Sequence, residues 1–233
     1  MSLIMRRNLM AAKSGYTAKD YVQDGIVYLF DAIENVGFGL PQDKTKTTWH
    51  NLVRNDETLD GVFVGSPTWG DDYLSIRGWT NTVSIGLEEQ DWGVSHTHEI
   101  CISSFNAPGS TGAFLGRGRG IEIRNSSRGF VGWGLDNQFS ESFRGRTTVS
   151  ATITPTGNRG SINLYEAGSK FGMVTAISVS SGAYSYGFYI GRGSSNLRCI
   201  NGYYHCIRIY NRPLSEDELK INYAIDKARF NLP

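Results

Sequence analysis

Apolar and polar residues alternate with a period of two along most of this chain. In RGIEIRN (119–125) Ile121 and Ile123 alternate with Glu122 and Arg124. GFVGWGL (129–135) puts Val131, Trp133 and Leu135 on one face, and TTVSATIT (147–154) aligns Val149, Ala151 and Ile153. SINLYEAG (161–168) aligns Ile162 with Leu164, YGFYIGRG (186–193) aligns Phe188 with Ile190, and HCIRIYN (205–211) aligns His205, Ile207 and Ile209. One apolar face at this period marks half-buried antiparallel strands. GIVYLFDA (25–32), DYLSIRG (72–78) and HEICISSF (98–105) read as further strands, and turn signals such as TPTGNRG and NAPGSTG recur between them. The pattern predicts an all-β antiparallel sandwich.

The period changes only near the C-terminus. Ser215 precedes EDELKINYAIDKARF, and Glu218 three residues on completes a capping box. Leu214 and Leu219 stand at the positions of a hydrophobic staple, and Ile221, Ala224, Ile225 and Ala228 form an i, i+3, i+4, i+7 stripe. A helix over 215–228 is expected, its stripe against the sandwich. No linker divides the body, so residues 21–233 read as one domain behind an N-terminal arm of residues 1–20.

Composition narrows the function classes. The 233 residues include 28 Gly, 12% aromatics and only 6 Pro, which suits strands and tight turns. A net charge of +1 supplies no field for nucleic acid or an anionic membrane, and no apolar run approaches a membrane span. Cys101, Cys199 and Cys206 make an odd count. With a hairpin turn at Asn201-Gly202, Cys199 lies opposite Tyr204, which leaves the thiols unpaired. His96 and His98 share one strand face, but two ligands are too few to define a zinc site. Asp31, Asp71 and Asp72 offer oxygens of the kind calcium takes, with no spacing that fixes them; no other cofactor is expected.

Several segments invite catalytic readings. GRGRG (116–120) lacks the Lys-Ser/Thr step and following helix of a phosphate loop, and no Gly-x-Ser-x-Gly is present. The six arginines 117, 119, 124, 128, 144 and 146 outnumber the three nearby acids, which suits a solvated face or a patch for an anionic partner. WGLDNQ joins Trp133 to Asp136, Asn137 and Gln138, a ring with convergent polar groups as sugar recognition requires. Trp79 and Trp92 near strand ends or loops are further glycan candidates; a core role for Trp133 is the competing reading.

GIVYLFDAIENVGFG followed by TTWHNLV, then WGDDYLSIRG, SINLYEAG and FYIGRGSSNLRCINGYYHCIRIYNRPLSEDEL, resemble a laminin-G-like module of the concanavalin A type, over residues 21–230. The resemblance implies a jelly roll of two antiparallel sheets, one concave, with Trp49 and Trp69 at the core edge. The family holds lectins, glycosidases and structural modules, so fold alone gives no function. Glycosidases of this fold carry Glu-x-Asp-x-x-Glu. Here Glu89-Gln90-Asp91 supplies the first half of that motif, but Val94 stands where the last Glu belongs, so an acid–nucleophile pair is missing. The expectation is a non-catalytic protein.

The short start MSLIMRRNLMAAKSG is interrupted by Arg6 and Arg7 and lacks the apolar core of a secretion signal. Such a start ahead of this sandwich is similar to proteins encoded by gut phages and prophages. That implies a virion component, a capsid decoration or tail-associated adhesin made in the host cytoplasm. It would dock through Leu3, Arg6, Arg7 and Met10 onto other virion proteins or its own copies, and present the sandwich to a cell-surface glycan. The alternative is a bacterial extracellular carbohydrate-binding protein.

Overall fold

The computed structural model describes residues 15–54, 57–78, 80–85, 95–106, 111–114, 120–124, 128–132, 146–156, 159–178, 188–192 and 199–233. In chain order the strands are β1 (Ile26–Asp31), β2 (Thr48–Trp49), β3 (Gly61–Val64), β4 (Thr68–Trp69), β5 (Leu74–Ile76), β6 (Thr82–Ile85), β7 (His96–Asn106) and β8 (Thr111–Ala113). Then come β9 (Gly120–Arg124), β10 (Arg128–Gly132), β11 (Thr147–Thr156), β12 (Arg159–Glu166), β13 (Ser169–Ser178), β14 (Phe188–Ile190) and β15 (Asn201–Tyr210), followed by the α-helix of the described residues, α1 (Glu216–Phe230).

Every described pairing is antiparallel. The large sheet runs β13-β12-β11-β7-β15-β5-β4, with β1 beside β5 along the other half of β15. A smaller sheet runs β14-β6-β3-β2, and β10-β9-β8 form a third. One apolar cluster joins the two larger sheets: Phe30, Ile76, Ile100, Ile102, Ile207 and Ile209 of the large sheet meet Trp49, Val83, Ile85 and Ile190 of the smaller. Trp49 is fully buried, donates its indole N–H to the Asp31 carbonyl at 3.0 Å and meets Trp69 edge-on, as the resemblance implies for both tryptophans.

A second cluster fills the opposite face of the large sheet, where Leu29, Cys101, Cys206 and Tyr210 meet Leu219, Ile225 and Phe230 of α1. The sheet is therefore covered on both faces, and β1 is buried at all six positions. Ser215 caps α1 in a reciprocal capping box with Glu218, as its sequence requires, and Leu214 and Leu219 are both buried.

Three expectations need correction. Ile221 is 52% exposed, and Ala224 and Ala228 also face solvent; of the expected stripe only Ile225 is buried. The buried face is instead Leu219, Asn222, Ile225, Asp226, Arg229 and Phe230, because the sheet beneath offers charge. Arg208 of β15 donates to Asp226 twice at 2.7 Å and to Glu99 of β7 at 3.0 Å, while Arg229 pairs with Asp31 and Glu34. Second, Asn201-Gly202 makes no hairpin turn. Gly202 lies inside β15 opposite Ile76, and a Cβ there would sit 3.0 Å from Ile102 and 3.1 Å from Phe105. The glycine serves close packing. The three thiols are nonetheless free and buried. Third, a register shift between Tyr204 and Cys206 turns His205 away from Ile207 and Ile209. A bulge inserts one residue and breaks the alternation.

At the N-terminal side, Ala18 is buried, its N–H donates to Glu34, and the Tyr21 hydroxyl donates to Asp226 at 2.8 Å. The last residues of the expected arm thus belong to the packed body. Leu3, Arg6, Arg7 and Met10 lie outside the described residues.

Candidate functional site

The β15 bulge builds a polar cluster on the helix-side face of the large sheet. Three separate strands bring its members together: Asp72 and Tyr73 lead into β5, Ser103 lies on β7 opposite Tyr203, and His205 occupies the bulge. Arg146, just ahead of β11, completes it.

His205 is fully buried. Its Nδ1 lies 2.6 Å from the backbone carbonyl of Asp72. A carbonyl only accepts, so Nδ1 carries the proton. Burial lowers the imidazole pKa to about 4; the Asp72 carboxylate opposes this and the Arg146 cation adds to it. The ring is therefore neutral near pH 7, and Nε2 accepts from the Ser103 hydroxyl at 2.8 Å and from Arg146 Nε at 3.4 Å. Arg146 also donates to Asp72 at 2.7 Å. The Phe230 and Tyr73 rings lie 5.2 and 6.1 Å from the imidazole.

Toward solvent the cluster ends in an aromatic pair. Tyr73 and Tyr203 stack with centroids 4.2 Å apart. Tyr73 lies so close over Gly70 that a Cβ there would come within 2.2 Å of the ring, so the packing requires glycine. Exposed Arg77 donates to the Tyr203 hydroxyl at 3.0 Å and lies over its ring. Asp72 and Arg146 are partly exposed beside it. The result is a half-buried aromatic surface with a cationic and an anionic rim.

Of the residues singled out from sequence, Asp72, a calcium candidate, and Arg146, of the arginine-rich stretch, enter this cluster. Trp79, Trp92, Trp133, Asp136, Asn137 and Gln138 lie outside the described residues, as does Glu89-Gln90-Asp91. The calcium candidates are held apart on separate cations: Asp31 on Arg229 at 2.9 Å, Asp71 on Lys44 at 2.6 Å and Asp72 on Arg146. Among the described residues no three His, Cys, Asp or Glu side chains gather as metal ligands. His96 and His98 do share a strand face, with rings 4.9 Å apart. Ser103, His205 and the tyrosine pair were missed by sequence reasoning. They are scattered over 130 residues, and only strand register joins them.

No family model and no curated protein matches this chain. Solved structures do match its fold. Trypanosoma rangeli sialidase with 2,3-difluorosialic acid, a covalent intermediate, aligns at a TM-score of 0.65 and 15% identity, over 96% of this chain and 38% of that one. A mutant of the same sialidase displaying trans-sialidase activity gives 0.64, 14%, 97% and 38%. The structure HCR/D-Sa-GBL1/C gives 0.55, 10%, 87% and 52%. The chain is similar to these in fold and spans well under half the length of the sialidases. The sandwich with a C-terminal helix is thereby shown. The expectation of a non-catalytic protein is withdrawn, since sialidases are among the structures it matches over nearly its whole length. At 15% identity the likeness carries the fold and no particular activity.

Proposed function

We propose that this chain is a carbohydrate-binding β-sandwich domain that meets its glycan at the Tyr73–Tyr203 surface. The observation that carries the reading is the stacked pair itself, packed against Gly70 and edged by Arg77, Asp72 and Arg146. Sugars present C–H surfaces to aromatic rings and hydroxyls to polar groups; the exposed parts of the two rings and the Arg77, Asp72 and Arg146 side chains are the groups that would meet them. Its likeness in fold to sialidases, which act on sugars by name, supports the class. The virion role expected from the sequence draws no support from the comparisons and is not part of this proposal.

A broad glycan array followed by calorimetric titration of the retained sugars tests it. Tyr203→Ala is expected to weaken binding at least tenfold while the thermal midpoint moves little. An array that retains no glycan, or a Tyr203→Ala chain that binds as the parent does, rejects the reading.

A further inference from the structure

We propose that Ser103 and His205 form a nucleophile–base pair that hydrolyses short-chain acyl esters. The geometry is that of an activated serine. The Asp72 carbonyl, 2.6 Å from Nδ1, fixes the tautomer, so the Nε2 lone pair points at the Ser103 hydroxyl 2.8 Å away. The base is oriented by a third group, which is the signature of serine activation in general. Here the orienting atom is a backbone oxygen, and the Asp72 carboxylate stands 3.9 Å from Nδ1, close enough to stabilise an imidazolium. Arg146 lies beside Nε2 on the serine side, a fixed cation where a carbonyl oxygen would gain charge. The residue after the serine, Ser104, has φ 50 within β7, a positive φ that is uncommon for a non-glycine residue.

The reaction balances with water as the only co-reactant. Ser103 Oγ attacks the ester carbonyl carbon while its proton passes to His205 Nε2. Collapse of the tetrahedral adduct breaks the carbon–alkoxy bond, and the leaving alcohol takes the proton from Nε2. The acyl group is then on Ser103. Water attacks that carbonyl and gives a proton to Nε2; the bond to Oγ breaks, Oγ recovers the proton, and a carboxylic acid departs. Ser103 is 8% exposed and the imidazole is flanked by Phe230 and Tyr73, so a small ester is the substrate to try first.

The test uses the full chain with a fluorophosphonate probe and 4-nitrophenyl acetate. One phosphonyl adduct per chain, mapped to Ser103, is expected, together with ester hydrolysis above the buffer rate. Ser103→Ala should lose the adduct and at least a hundredfold of the rate while keeping its thermal midpoint within a few degrees. His205→Gln should slow labelling by a similar factor. A parent chain with no adduct, an adduct mapped elsewhere, or a Ser103→Ala chain that hydrolyses at the parent rate overturns the proposal. The labelling result on the parent chain decides the matter even where a variant fails to fold. No sugar is involved, so failure here leaves the carbohydrate proposal standing.

Discussion

Arg208 on β15 and Asp226 on α1 meet through two hydrogen bonds of 2.7 Å each, with neither side chain exposed to solvent. Tyr21 and Thr148 add their hydroxyls to the same carboxylate, and Arg208 also reaches Glu99. A strand, a helix and the N-terminal segment are locked together by one guanidinium. Asp226→Ala leaves that cation buried with half its partners. The expected loss is about 3–5 kcal/mol of unfolding free energy, read as a lower midpoint in urea denaturation. Replacing both residues by apolar ones of similar volume, Arg208→Met with Asp226→Leu, should recover much of it. A single variant as stable as the parent would show that the pair does not hold the helix.

Two buried histidines set an acid limit. Burial lowers the His205 pKa from the usual 6.5 to about 4, and burial followed by the neighbouring His96 holds His98 well below its usual value. Below pH 6.5 the unfolded chain takes up protons that the folded chain refuses. Stability therefore falls as pH drops from 6.5 towards 4, with no further loss from His205 below that. For His205 alone the difference is roughly 3 kcal/mol. Urea titrations at pH 7.5, 6, 5 and 4 check this, and His205→Gln should flatten part of the slope.

Glu218 acts in the opposite range. The hydrogen bond from Arg212 chiefly lowers its pKa from 4.5 to about 2; partial burial opposes this, and hydrogen bonds from Ser215 add to the lowering. Its contribution is complete above pH 4.5 and fades as pH falls through 2. Glu218→Gln is expected to be less stable than the parent at pH 7. The gap should close by pH 2 if enough folded protein persists there to measure it. A gap independent of pH would assign the effect to lost packing rather than charge.

Two glycines separate conformational strain from collision. Gly39 has φ +71 and open space around its missing Cβ, whereas Gly65 has φ +77 and would place a Cβ 2.0 Å from the Thr80 carbonyl oxygen. Gly39→Ala should cost about 1 kcal/mol from the left-handed conformation alone. Gly65→Ala should cost distinctly more, because the obstacle is backbone that cannot swing away. Thermal unfolding of the two variants side by side reads the difference.

The sequence made some of this legible and hid the rest for physical reasons. The α1 cap could be read because Ser215 and Glu218 are close in the chain and their geometry is local. Strand identities could be read because alternation is local as well. The helix face could not. In IRIYNR the arginine alternates with isoleucines, which is the signature of a strand with one wet face; yet Arg208 is wholly buried, because a helix covers that face. Alternation marks which residues differ from their neighbours and does not say that the polar set meets water. Ile221, Ala224 and Ala228 misled for the same reason: the helix turned its charges inward to meet the charges of the sheet. The Ser103–His205–Asp72 cluster carries no spacing at all, since a bulge and two strand pairings assemble it.

The position of β15 bears on how the molecule is made. This last strand lies in the interior of the large sheet, and it is the only described partner of β1. A nascent chain leaving the ribosome carries β1 for some 170 residues before the strand that completes it has even been translated. Until then Leu29 and Phe30 have no sheet to join, and apolar edges stand open to other polypeptides. Folding of this domain therefore waits for β15, and a chain halted short of it leaves β1 without its described partner.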